Sequence, residues 1–118
     1  MQQQIAQDKI LQLQAGLAKI KQRFIGTLPL MVEELDELIE ILNDGGDVPK
    51  VFNAIRFRAH KLHGQSGSFG FDAIGAAAAK LEHKIDALMK GPQPMPTQEV
   101  ENLTTDLVDM IDAALAES

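Results

Sequence analysis

The chain has 118 residues, 45% of them apolar, a formal charge of −6 and no cysteine. That is material for one domain with a modest core, and it excludes a disulfide framework and a general nucleic-acid binder. No apolar run nears the roughly 18 residues that crossing a bilayer needs, and Met1-Gln2-Gln3-Gln4 lacks the start of a secretory signal. A single domain over residues 1–118 is therefore expected, as a cytoplasmic, free-standing monomer.

The apolar residues follow a helical period almost throughout. Ile10, Leu13, Leu17, Ile20 and Phe24 step by three and four, and Leu28, Met31, Leu35, Leu38 and Leu42 continue the stripe. Pro29 interrupts it, and proline is tolerated in a first turn but not in a helix interior. The pattern predicts one helix to about Phe24 and a second from about Leu28, or one kinked rod. Asn43-Asp44-Gly45-Gly46 ends it, because glycine supplies the left-handed stop.

Asp47 is a good N-cap for the next helix, with Pro49 in its first turn. Its core stripe is Phe52, Ile55, Ala59, Leu62, Ser66 and Phe69, and Gly70 closes it. Asp72 is placed to cap a helix with core residues Ile74, Ala78, Leu81, Ile85 and Leu88. Gly91-Pro92-Gln93-Pro94-Met95-Pro96 cannot be helical and is the clearest loop. Thr97 is the expected cap of the last helix, whose core face is Val100, Leu103, Leu107, Met110 and Ala114.

No stretch alternates with the period of a strand. The expected fold is all-α: an antiparallel up-down-up-down four-helix bundle with an additional N-terminal helix. With aromatics only 4% of the chain, Leu, Ile and Ala must fill its core.

Charge is unevenly placed. Between Val48 and Phe71 there is no acidic residue, yet Lys50, Arg56, Arg58 and Lys61 give that segment +4 and leave −10 for the rest. At about 100° per residue, Ile55, Ala59, Leu62, Ser66 and Phe69 gather on one side of this helix. Asn53, Arg56, Phe57, His60, His63, Gly64 and Gly67 lie roughly opposite. His60 is therefore not a core histidine; it stands in the middle of a solvent-facing stripe.

Gly64 and Gly67 each cost a helix about 1 kcal/mol relative to Ala. One turn beyond His60, they remove the side chains that would shield its imidazole and let another protein come close. The alternative is that the helix frays early and both belong to a loop. Phe57, far from the core stripe and one turn from His60, is either an exposed docking anchor or is covered by the N-terminal helix.

A neutral imidazole nitrogen is a nucleophile near pH 7. Arg56 and His63 lie within one turn of His60 and can balance incoming negative charge. A labile bond to phosphorus on such a ring suits an intermediate that passes its cargo onward.

His60-Lys61-Leu62-His63-Gly64-Gln65-Ser66-Gly67-Ser68-Phe69-Gly70 resembles the signature of histidine-containing phosphotransfer (HPt) domains. In that signature the acceptor is followed by a basic residue three later, then Gly, a small residue, and a bulky apolar residue before a second Gly. The resemblance implies that His60 is the phosphoryl acceptor and Gly64 the clearance position. It implies partners in the receiver domains of hybrid histidine kinases and response regulators, with neither nucleic acid nor membrane involved. Docking is then expected at Arg56, Phe57, Lys61, His63, Gly64 and Gly67. No resident cofactor or metal is expected, since Mg²⁺ would come from the receiver. With no nucleotide-binding motif, the chain would carry phosphate without autokinase activity. Glu82 occupies a place where relatives often carry a polar residue facing the acceptor, so it either orients the His60 imidazole or is a solvated surface residue. One departure stands out: the family commonly has Lys where this chain has His63, which bears on the strength and pH dependence of docking.

Three other readings compete. His60, His63 and His83 suggest a metal site, but zinc generally takes four ligands and the basic neighbours repel a cation. Gly64, Gly67 and Gly70 faintly resemble a nucleotide-binding loop, but such loops follow a strand. A non-catalytic HPt-like adaptor that docks receivers without chemistry is the third.

Overall fold

The computed structural model describes residues 2–117; Met1 and Ser118, the ends of the expected domain, lie outside it. Four helices follow in chain order: α1 (Gln2–Asn43), α2 (Val48–Ser66), α3 (Asp72–Met89) and α4 (Gln98–Glu117). A single 3₁₀ turn, Gly67–Phe69, joins α2 to α3, and no strand occurs among the described residues. Each helix packs on the next and α4 returns to α1, which closes the antiparallel four-helix bundle.

The additional N-terminal helix is present, but not as a separate element. It is the first half of α1, a 42-residue helix that runs through Pro29 without a break. Proline removes the bond to the Ile25 carbonyl and costs on the order of 3 kcal/mol in a helix interior. Against that, Phe24, Leu28, Leu35 and Leu42 are buried along one face on both sides of Pro29. Each such burial is worth about 1.5–3 kcal/mol, so continuity across the proline wins. The Thr27 hydroxyl also donates to the Phe24 carbonyl at 2.6 Å.

Length decides where the core ends. At about 1.5 Å per residue α1 is roughly 63 Å long, whereas α2, α3 and α4 have only 19, 18 and 20 residues. They sheathe α1 from Phe24 onward. There the Phe24 ring stacks on Phe69 with centroids 5.1 Å apart and tilts against Phe71 at 5.7 Å. Upstream the expected stripe continues, but Ile10, Leu13, Leu17 and Ile20 stand in solvent. The arm gives the molecule its long axis of 67 Å.

The punctuation follows the local chemistry. Gly45 adopts a φ of +86° and Gly70 a φ of +82°, so both turns use the left-handed region open to glycine. The Asp47 carboxylate accepts from the Lys50 amide at 3.2 Å and caps α2. Asp72 does not cap α3: Phe71 holds the N-cap position, and its amide is taken by the Ser66 carbonyl at 2.9 Å. Phe52, Ile55, Leu81, Ile85, Leu107 and Ile111 fill the core. Met110, expected on the core face of α4, is exposed, while Met95 of the proline-rich loop is buried. Among the described residues no helix is long and apolar enough to cross a membrane.

Candidate functional site

α2 and α3 bury their apolar faces against each other, and this sets the outward edge of α2 beside the outward edge of α3. Gly75 meets Ser66 at this crossing: a Cβ added to Gly75 would lie 3.4 Å from the Ser66 Cβ, in ordinary van der Waals contact. His60, halfway along α2, has 71% of its side chain exposed. Its Nδ1 lies 2.5 Å from Oε2 of Glu82 on α3, and Nδ1 of His63 lies 3.2 Å from Oε1 of the same carboxylate. Glu82 is thus no solvated surface residue; it is buried and faces both rings.

The electrostatics fix the protons. Burial raises the Glu82 carboxyl, but the hydrogen bonds and charge of the two imidazoles outweigh it and hold the group below the ordinary 4.5. Glu82 is therefore ionised at neutral pH, and an ionised carboxylate only accepts. Both Nδ1 atoms must donate to it. In the neutral ring the lone pair then sits on Nε2, and the His60 ring that carries it is largely exposed.

The surroundings leave room for a partner. A Cβ at Gly64 would meet nothing within 4 Å, so no neighbour inside the molecule demands glycine there. Gly64 is helical, whereas Gly67 begins the 3₁₀ turn, so each of the two expectations for this pair holds for one residue. Phe57 is 62% exposed and the arm does not cover it. The Lys61 ammonium stands 5.6 Å from its ring centroid. Two hollows flank the stripe. One of about 300 Å³ is lined by Asn53, Arg56, Phe57, His60 and Glu82. The other, of about 370 Å³, lies between Gly64, Gln65 and Ser68 on one side and Ile20, Arg23 and Thr27 of α1 on the other.

The basic island is less free than the sequence suggests. Arg56 pairs with Asp86 at 2.7 Å and Arg58 with Glu34 at 2.6 Å. Those carboxylates arrive from α3 and α1, so a segment without acidic residues in sequence is not without them in space. Arg56 is held at the rim and not aimed at the acceptor. Asp86, Glu34, Ile20 and Arg23 are the site neighbours that sequence reasoning missed. The helical period names their faces but not their neighbours. His83 approaches His63 edge-on with centroids 6.4 Å apart. Among the described residues no three histidines and carboxylates form a metal-binding group.

The family model described as Hpt domain matches residues 19–117, the bundle together with the base of the arm. No curated protein and no solved structure matches the chain. With a helical bundle, an outward histidine on its second helix and a family match over most of its length, the chain belongs to the histidine-containing phosphotransfer domain family, the phosphoryl carriers of two-component signalling.

Proposed function

We propose that this protein carries a phosphoryl group on Nε2 of His60 between receiver-domain aspartates. The observation that carries the reading is the hydrogen bond from His60 Nδ1 to Glu82, which leaves Nε2 bare and exposed. The Nε2 lone pair attacks the phosphorus of an aspartyl phosphate, the P–N bond forms, and the bond from phosphorus to the aspartate oxygen breaks. The aspartate leaves as a carboxylate. The positive charge that develops on the imidazole is met by the Glu82 carboxylate already in place, so little reorganisation is needed. A second receiver aspartate reverses the step.

Phe57 and the open surface over Gly64 and Gly67 form the docking face, with Lys61 supplying charge that steers an acidic receiver pocket. Mg²⁺ and the in-line alignment come from the receiver. The chain acts as a carrier and does not phosphorylate itself, so incubation with ATP alone leaves it unlabelled.

Transfer of labelled phosphate from a phosphorylated receiver domain tests the reading, with wild type set against His60→Gln. Acid-labile, base-stable label on the wild type and none on the variant is the expected result. Absence of label on folded wild type across a panel of receivers would overturn it in favour of a non-catalytic adaptor.

A further inference from the structure

The first half of α1 packs against none of the other helices. Ile10, Leu13, Leu17 and Ile20 are between 49% and 67% exposed, although a helix in water draws most of its stability from packing an amphipathic face. The four repeat in steps of three, four and three, the a/d seam of a two-stranded coiled coil. At 100° per residue they fall within about 80° of arc, narrower than the usual core face of a bundle helix.

The seam also reads the same in both directions. Ile-x-x-Leu-x-x-x-Leu-x-x-Ile is symmetric in residue type and in spacing about Ala15. A two-fold dimer needs a surface complementary to itself, and antiparallel pairing about Ala15 supplies one. We propose that the arm of α1 pairs antiparallel with the arm of a second copy of this chain, in place of the expected monomer and independently of what His60 does. Ile10 then meets Ile20 of the second copy, and Leu13 meets Leu17. Ala6 falls opposite Phe24 of the second copy, a small residue where that ring is already turned into its own bundle.

Gly16 and the bundle itself support this arrangement. Gly16 stands inside the helix, where glycine is costly, and a Cβ there would meet nothing within the chain. Beside the two-fold axis it flanks the seam against Gly16 of the second copy, and bare backbone lets the helices approach. Past Phe24 the same stripe is the face that α1 buries in the bundle. A parallel partner would therefore drive its α2–α4 into the first bundle, whereas antiparallel arms set the bundles at opposite ends. Each arm fills the space along the other that α2, α3 and α4 are too short to cover. Ile20 also lines the hollow beside Gly64, so the seam reaches the edge of the docking face.

The charges favour a second copy over a lipid surface. The outer side of the arm carries Gln4, Gln12 and Gln22 with Asp8 and Lys19, not the lysine-rich face of a helix that lies on lipid. Lys21 stands 5.6 Å from the ring centroid of its own Phe71. In the antiparallel register Lys9 approaches Arg23 of the second copy at the rim. Salt should therefore strengthen pairing, whereas it would weaken attraction to an anionic surface.

Sedimentation equilibrium of the full chain over a range of concentrations tests the proposal. Wild type should pass reversibly from the mass of one chain to that of two, more readily in high salt. Leu13→Glu combined with Leu17→Glu should stay single where wild type is paired. Leu11→Glu, at a residue 61% exposed but on the outer side, should pair like wild type. The arm lies outside the bundle core, so all three proteins, diluted to the single chain, should unfold at the same denaturant midpoint. The chain has no cysteine, so nitroxides on Gln4→Cys and on Ala15→Cys report direction. Antiparallel arms hold the two Gln4 positions roughly 33 Å apart along the axis and the two Ala15 positions level, whereas parallel arms give both pairs similar separations. Wild type that stays single at every concentration, pairing that survives the double substitution, or similar label separations would each overturn the proposal. So would a single chain that binds phosphatidylcholine–phosphatidylserine vesicles and loses them on the double substitution, which would give the face to a membrane.

Discussion

Nδ1 of His60 lies 2.5 Å from Oε2 of Glu82, a residue 22 positions away on the neighbouring helix. One helix presents the acceptor ring, and the other decides which of its nitrogens is free. The bond depends on the packing of α2 on α3, so the core and the chemistry are linked through one helix pair.

Replacing Glu82 should separate its parts. A hydrogen bond to a charged group contributes about 1.5–3 kcal/mol, so Glu82→Ala should slow transfer roughly tenfold or more. Glu82→Gln should retain part of the rate, because an amide oxygen still accepts from Nδ1. Stability should depend on pH with a fixed sign. The Glu82 carboxyl is held below 4.5 in the folded protein, so its contribution is complete above that value and is lost as pH falls through the lower folded value. Urea unfolding of wild type and Glu82→Gln between pH 7 and 3 should show the difference shrinking only at the acid end.

Gly64 should trade stability for access. It is helical and a Cβ there meets nothing, so Gly64→Ala should stabilise the fold by about 0.5–1 kcal/mol. Gly64→Leu should fold equally well yet slow transfer at least about tenfold, since its side chain would stand where a partner must approach. Thermal melts and transfer rates on the two variants check both halves. A wild-type rate for Gly64→Leu would remove the clearance argument.

The split between the bundle core and the exposed arm of α1 gives a sharp contrast. Leu81 is fully buried and Leu13 is 67% exposed. Leu81→Ala should cost about 2–5 kcal/mol, whereas Leu13→Ala should stay within about 0.5 kcal/mol. Denaturant midpoints of the two variants, compared at one temperature, decide it.

Ser66 is a core position with the wrong chemistry. Its Oγ is buried without a hydrogen-bond partner at the α2–α3 crossing. Ser66→Ala removes a desolvated hydroxyl and should be neutral or stabilise by about 1 kcal/mol. A loss above that size would mean that the hydroxyl makes a bond in solution.

Much of this is legible in the sequence alone. The three-and-four spacing of Phe52, Ile55, Ala59 and Leu62 marks the buried face of α2, and the face opposite has to hold His60. Asp47 caps through its carboxylate, and Gly45 and Gly70 turn the chain through the left-handed backbone open to glycine. Phe57 had two readings, and only packing chose between them: the arm runs on past the bundle and leaves the ring exposed. Met110, expected in the core, faces solvent, whereas Met95, from a loop that no periodicity describes, is buried.

Local features therefore reside in the chain itself: which residues are helical, where the turns fall, and that His60, Gly64 and Phe57 share an outward face. These follow from backbone preference and period, which each segment carries within itself. Tertiary structure decided the rest. Pro29 stays inside α1 because burial on both sides outweighs its cost, and the stripe from Ile10 to Ile20 is bare because three shorter helices end at Phe24. The Arg56 and Arg58 charges are met by Asp86 and Glu34, and Glu82 holds two imidazoles at once. Each of these depends on distances between residues far apart in the chain, and only the packing of one helix on another sets those distances.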